Sequence, residues 1–371
     1  MKTTRGLYIH IPFCVSKCTY CDFYSVSSDT EIMEKYVGAL IKEIELVSLA
    51  NKDYVIDTIY FGGGTPSVLP LYLLGKIVDS IYKNFKVKIE EFTIEANPAT
   101  KLYFSDYINF GIDRVSLGVQ TLNDDLLKII GRRHTAKVAL DTIDEAKKYF
   151  KKVSCDMMIG LPTQTIEDVE NTAITLANKI GHISMYMLKL SNNVKMSKQI
   201  DKGIYCLPDD DQFVDFYDLA YNIFKSRGLN RYEISNFSLD GFESKHNLKY
   251  WNREEYIGLG ASAHGFIDGY RYFNPSSLND YIFGLNYGNG KVDMQFVGPD
   301  EALFEKIMLA FRLPSGINIQ EINTEFNIDF EKKYHKQLEF LKPILVIEGN
   351  NIFIKEDKLL LESAVAREFL D

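Results

Sequence analysis

The strongest constraint on the fold is a repeat of short apolar runs alternating with amphipathic helical segments. Apolar runs at 7–12, 55–61, 88–95, 113–119, 153–159 and 183–190 read as strands. Between them lie segments with helical spacing at 31–49, 71–84, 101–110, 137–150 and 166–179. In the first, Ile32, Tyr36, Ala39, Leu40, Ile44 and Val47 recur on one helix face. Six such units predict an α/β fold: a parallel sheet curved into a partial (β/α)6 barrel, with its functional loops at the strand C-termini.

After residue 190 the alternation ends. Residues 191–208 read as a polar connection, 209–226 as a helix, 230–234 as a further strand, and 235–273 as irregular and rich in aromatics and glycine. From residue 299 a smaller α+β domain is expected: helices at 301–311, from 319 and at 330–340, then a hairpin in which 344–347 and 352–354 flank Glu348-Gly349-Asn350-Asn351. The expected units are therefore a core at 1–235, a connecting region at 236–298 and a winged-helix-like domain at 299–371. Length (371 residues) and 46% hydrophobic content support a sizeable buried core.

The first strand runs into Cys14-Val15-Ser16-Lys17-Cys18-Thr19-Tyr20-Cys21. The C-x-x-x-C-x-x-C spacing lets three thiolates converge on one inorganic centre. A cubane iron–sulfur cluster normally takes four cysteines, so three leave one iron open. Structural zinc is the competing reading, with His10 as a fourth ligand, but strand alternation puts His10 on one face with Tyr8, near the centre and not dedicated to it. Spacing alone leaves both metals open. Five cysteines, an odd number, without a signal peptide argue against disulfides and for a reducing compartment, the cytoplasm. Residues 1–6 are too short for a targeting peptide, and no apolar run approaches a membrane span. A net charge of −9 argues against non-specific nucleic-acid binding.

Tyr8-Ile9-His10-Ile11-Pro12-Phe13-Cys14, the aromatic residue before Cys21, and Gly62-Gly63-Gly64-Thr65-Pro66 together resemble the radical S-adenosylmethionine (SAM) superfamily, in its coproporphyrinogen-III-oxidase-like branch. The resemblance implies a 4Fe-4S cluster on Cys14, Cys18 and Cys21, its open iron chelated by SAM, whose cleavage yields a 5′-deoxyadenosyl radical. It implies that Gly63, Gly64 and Thr65 hold the amino-acid end of SAM, with Tyr8 beside them and Tyr20 within the cluster loop. Glu95, in Ile94-Glu95-Ala96-Asn97-Pro98, is implied to contact SAM; a surface loop glutamate is the plainer alternative. Gln120, Arg132 and Asp156 match residues that face a second SAM or the substrate region. An arginine there suits a carboxylate, and a structural salt bridge competes with that role. Cys155 and Cys206 lack metal spacing and are expected to be small core residues.

His246-Asn247-Leu248-Lys249-Tyr250-Trp251, followed by Gly258-Leu259-Gly260-Ala261-Ser262-Ala263-His264-Gly265, resembles the HemW-type haem chaperones of this branch. There the first histidine is implicated in binding haem, so His246 is the expected haem contact, and core packing is the alternative. Asp22-Phe23 stands where coproporphyrinogen oxidases show Gly-Cys, and the cluster strand begins within a few residues of the start. Both departures point to a chaperone holding haem, cluster and SAM and passing haem to acceptor proteins, a membrane protein transiently among them. Self-association as a homodimer is left open. The alternative is oxygen-independent oxidation of coproporphyrinogen III in porphyrin biosynthesis.

Overall fold

The structure is a computed structural model, and it describes residues 4–27, 29–288 and 292–370. The six expected strands are present in order: β1 (Thr4–Ile11), β2 (Val55–Gly63), β3 (Lys86–Ala96), β4 (Arg114–Gln120), β5 (Lys152–Ile159) and β6 (His182–Met187). Each pairs in parallel with the next. Helices cover the outer face. That of Thr30–Ala50 starts where the Asp29 side chain accepts from the Ile32 amide, and buries Met33, Tyr36, Val37, Leu40 and Ile44. The helices Ile166–Ala177 and Asp210–Ser226 begin with capping boxes, Thr165 with Asp168 and Asp209 with Gln212.

The strands alternate in composition. Ile59 and Phe61 of β2, Phe92 and Ile94 of β3, and Val115 and Leu117 of β4 join the apolar core under the helices. The intervening residues are Thr58, Tyr60 and Gly62, then Glu91, Thr93 and Glu95, then Arg114, Ser116 and Gly118. Because successive side chains point to opposite faces, these polar groups share the concave inner face. A parallel sheet buried in apolar layers on both sides would carry near-continuous apolar strands. Here the barrel interior is polar, and it is suited to ligands.

Residues 236–298 are not a connecting region. They extend the same sheet with β8 (Asn236–Ser238), β9 (Tyr256–Leu259), β10 (His264–Ile267), β11 (Tyr270–Phe273) and β12 (Asp293–Phe296); β7 (Asn230–Glu233) precedes them. The spatial order is β12-β11-β10-β9-β1-β2-β3-β4-β5-β6-β8-β7. β9 runs parallel to β1, and β10 to β12 continue antiparallel. Strands of three or four residues give too short an alternation to be read as strands, and the partner that brings β9 into the sheet, β1, lies about 250 residues away.

Within the expected polar connection, Lys195–Asp201 forms a helix. Met196 is fully buried and its amide donates to the Thr19 carbonyl at 2.8 Å, so this helix buttresses the cysteine loop. Cys155 is buried as expected, whereas Cys206 is exposed, because it lies in the irregular stretch after that helix. Residues 299–370 gather a second apolar core, with helices including Pro299–Ala310 and Ile319–Phe326. Their hairpin, β14 (Leu345–Glu348) and β15 (Asn351–Ile354), is joined by β13 (Ile317–Asn318). Among the described residues no helix is long and apolar enough to cross a membrane.

Candidate functional site

The cysteine loop leaves the C-terminal end of β1 and is drawn closed by backbone bonds: Cys14 N–H to the Val26 carbonyl at 3.0 Å and Val26 N–H to Pro12 at 2.7 Å. It is laced to the glycine loop after β2, since Gly64 N–H donates to Ile11 at 2.9 Å and Thr65 N–H to Phe13 at 2.8 Å. A Cβ on Gly64 would lie 2.7 Å from the Phe13 carbonyl, so only glycine allows this approach. Gly63 has φ +112°, and a Cβ there would strike the His10 ring at 2.5 Å.

The three cysteines are free and half-buried, and they line one cavity of about 510 Å³. Gly63, Gly64, Thr65, Tyr20, Glu95, Gln120, Arg132 and Asp156 line the same cavity. Thr65 Oγ1 lies 3.5 Å from Cys14 Sγ, and Arg132 Nη1 lies 3.6 Å from Cys18 Sγ. Among the described residues no three His, Cys, Asp or Glu side chains close on a point that would hold a single metal ion. Three half-buried free thiols that line one cavity are the donor set through which an iron–sulfur cluster is held.

Two carboxylates sit at the cavity floor. Glu95 accepts from the Tyr60 hydroxyl at 2.9 Å and from the Gly63 amide at 3.1 Å, so it ties the glycine loop to the barrel interior. Burial, then the nearby Asp156, raises its pKa to about 7. Asp156 is raised to about 6 by burial, and Ser116 and Arg132 oppose that rise. Arg132 also donates from Nη2 to the Gly118 carbonyl. A Cβ on Gly118 would lie 2.7 Å from that nitrogen, which gives the glycine its reason. The Arg132 Nε is buried without a partner. Gln120 ends β4 in the left-handed region, φ 71°, an uncommon conformation for a residue with a Cβ that turns its amide toward the cavity it lines.

Eleven of the thirteen expected site residues thus meet at one cavity, and two do not. Tyr8 lies beneath it: its hydroxyl is 3.1 Å from His10 Nδ1, and its ring stacks on Tyr60. It supports the glycine loop from below, since a Cβ on Gly62 would meet its ring at 3.1 Å. His10 shares that face, as strand alternation predicted, and is no metal ligand here because its Nε2 faces the Tyr24 carbonyl at 3.3 Å.

His246 does not line the cavity; it lies in a helix (Lys245–Trp251) packed against β2 and β3, where its ring stacks on Tyr60. The helix N-terminus sits on the Glu91 carboxylate, which accepts from the amides of Lys245 and His246 and from the Ser244 hydroxyl, each at 3.1 Å. His246 is fully buried, with Nδ1 2.8 Å from Thr58 Oγ1 and Nε2 2.8 Å from the Tyr250 hydroxyl. Burial, then Lys249, lowers its pKa to about 3. Both ring nitrogens are engaged in this arrangement, so a haem contact at His246 requires its bonds to Thr58 and Tyr250 to open.

Sequence reasoning assigned no site residue to the end of β6. Tyr186, Met187 and Lys189 line the cavity there. The signal was available, because β6 is the sixth strand of the repeat and its C-terminal end must face the same mouth.

Comparison with known proteins follows the same lines. Residues 8–176 match the radical SAM superfamily model and 297–349 the HemN C-terminal domain model. The protein named heme chaperone HemW from Lactococcus lactis is 34% identical over 380 residues, covering 100% of this chain and 98% of its own. Its namesake from Bacillus subtilis is 35% identical over 91% of this chain and 89% of its own. Coproporphyrinogen III oxidase (HemN) from Escherichia coli, described as a radical SAM enzyme, superposes with a TM-score of 0.88 at 18% identity, over 99% of this chain and 90% of that one. Near-complete coverage by relatives sharing a third of their residues, on a cavity carrying the three-cysteine loop, places the chain in the HemW family of the radical SAM superfamily.

Proposed function

We propose that this chain is a haem-handling protein of the cytoplasm that carries a 4Fe-4S cluster and SAM, binds haem as cargo and passes it to haem-accepting proteins. The observation that supports the cofactor reading most is the meeting of Cys14, Cys18 and Cys21 with Gly63, Gly64, Thr65, Glu95, Gln120, Arg132 and Asp156 on one cavity. The cargo reading rests on full-length similarity to proteins named heme chaperone HemW. When bound, the cluster and SAM together supply one-electron chemistry.

The chain's own residues bind and orient. Cys14, Cys18 and Cys21 are the cluster ligands, and Tyr20, between the last two in sequence, lines the same cavity and packs against the apolar cluster that includes Leu126, Met158 and Met196. The glycine-loop backbone and Thr65 receive the amino-acid end of SAM, held in place by Glu95 through the Gly63 amide. Gln120, Arg132 and Asp156 face the remainder of the ligand, Arg132 offering charge to a carboxylate. Burial and the neighbouring Asp156 raise Glu95 to about 7, so its charge changes near neutrality.

The deciding experiment compares haem retention with turnover of coproporphyrinogen III by anaerobically reconstituted protein. Retained haem without decarboxylation is expected. Formation of protoporphyrinogen IX with SAM and a reductant would replace this reading by the oxidase one. A membrane-bound acceptor and a homodimer belong to the same proposal; haem transfer to acceptor-bearing vesicles and sedimentation of the loaded protein test them.

A further inference from the structure

The inner face of β2 serves two places at once. Strand alternation points Thr58, Tyr60 and Gly62 into the barrel. Thr58 Oγ1 lies 2.8 Å from His246 Nδ1, and the Tyr60 ring stacks on the His246 ring with 5.3 Å between centroids and 29° between planes. The Tyr60 hydroxyl donates to Glu95 Oε1 at 2.9 Å, and Glu95 Oε2 accepts from the Gly63 amide at 3.1 Å. Tyr60 therefore meets the histidine of the barrel helix with its ring face and the carboxylate under the glycine loop with its hydroxyl. Gly62 closes the corner, because a Cβ there would lie 2.9 Å from the Tyr60 ring and 3.1 Å from Glu95 Oε1.

A second, smaller cavity of about 30 Å³ lies at the same place. Tyr60, Glu95 and Asp156 line it from the strands, and Asn247 lines it from the helix that carries His246. Glu95 and Asp156 also line the cysteine cavity, so the two cavities share a wall. The smaller one is polar and has room for about one or two water molecules. Asn247 thus faces the two carboxylates across a polar void and not through close-packed apolar side chains, which lowers the resistance to movement of the helix.

On the reading that SAM occupies the glycine loop and that haem contacts His246, we propose that Tyr60 is a positioning residue through which the two ligands oppose each other's binding. The barrel has two arrangements that differ at this residue. In the closed one, the one observed, His246 is bonded to Thr58 and Tyr250 and covered by Tyr60. In the open one His246 has left those partners to meet iron, and Tyr60 has lost the ring it packs on. Tyr60 then holds Glu95 less firmly, and through Glu95 the Gly63 amide, so the SAM loop is best ordered in the closed arrangement. SAM favours that arrangement and weakens haem binding, and by linkage haem weakens SAM binding by the same factor. The chain without SAM retains haem, and the return of SAM promotes its release.

The test titrates hemin into the anaerobically cluster-loaded full-length chain and reads absorption difference spectra with and without SAM. No reductant is added, so SAM stays intact, and it is held at saturation for each variant from that variant's own equilibrium dialysis. Hemin binding by the unchanged chain is expected to weaken about fivefold or more when SAM is present, and dialysis to show hemin weakening SAM by the same factor. Y60F keeps the stacked ring and removes the bond to Glu95, so the ratio of its hemin affinities without and with SAM is expected to fall to about one. A residue that only supports the fold would change the separate affinities and leave that ratio. T58V frees one His246 nitrogen without touching Glu95, and it is expected to bind hemin more tightly in both conditions with the ratio kept. Equal hemin affinity of the unchanged chain with and without SAM, an unchanged ratio in Y60F, or unchanged hemin affinity in T58V overturns the coupling and leaves the cargo reading standing. An unchanged chain that does not bind hemin overturns the cargo reading, hemin binding undiminished in H246Q overturns the His246 contact, and the coupling falls with either.

Discussion

At the scale of single residues, glycines and buried polar groups decide the site. Gly63 combines φ +112° with a His10 ring where its Cβ would stand. The G63A variant is expected to cost roughly 2 kcal/mol and to weaken SAM binding, measured by urea midpoint and equilibrium dialysis, because the amide that meets Glu95 must move. His246 carries a different expectation. Its folded pKa of about 3 means that only the neutral ring is held. Its stabilisation is complete above the unfolded value near 6.5 and declines by about 1.4 kcal/mol per pH unit as pH falls from there toward 3. Glu95 acts in the opposite sense. With a folded pKa raised to about 7, it binds its proton before the unfolded carboxylate does and adds stability as pH falls from 7 toward 4.5. The difference between the wild-type and H246Q stability profiles isolates the histidine. A flat difference between pH 7 and pH 4 contradicts the buried neutral ring.

At the scale of elements, the Lys245–Trp251 helix ties the barrel to the C-terminal domain. His246 and Tyr250 face the interior, where the Tyr60 ring stacks on His246 at 5.3 Å, while Trp251 lies under the Arg312 guanidinium at 4.5 Å. Beside it Glu305 accepts from Arg253 at 2.9 Å and from Arg271 at 2.6 Å, joining the helix Pro299–Ala310 to β11. Glu305 is buried, so E305Q leaves two guanidinium groups short of a counter-charge. A loss of about 2 kcal/mol is expected, together with earlier proteolytic release of the C-terminal domain. Equal cleavage rates would mean that the apolar core of that domain alone holds it in place. The Lys195–Asp201 helix has a parallel role for the cysteine loop, through the Met196 amide on Thr19.

At the scale of the whole molecule, the three cysteines proposed as cluster ligands stand on a cavity wall and not in the packed core. C14S, C18S and C21S are each expected to abolish retention of iron and sulfide after anaerobic reconstitution and to leave the far-ultraviolet dichroism of the metal-free protein unchanged. Retained iron and sulfide in any of the three would remove that cysteine from the ligand set. Losing secondary structure instead would show that the loop is part of the folding core.

The sequence by itself determined the six-unit parallel barrel and the cavity at its mouth, because both are written locally. Strand and helix periodicities span only 7 to 20 residues, and parallel βα units must direct their C-terminal loops to one end. That Gly63, Gly64, Thr65, Glu95, Gln120, Arg132 and Asp156 join the cysteine loop there was an expectation from the family resemblance, and strand order alone carries only their common end of the barrel. What only the tertiary structure decided depends on contacts between distant segments. The 256–273 strands have meaning only against β1, and Tyr8 lies under the glycine loop through the stacking of β1 on β2. The His246 motif reads as an open ligand until Glu91, Thr58 and Tyr250 enclose it. A hydrogen bond between residues 188 apart, such as Thr58 with His246, leaves no periodic trace in the chain.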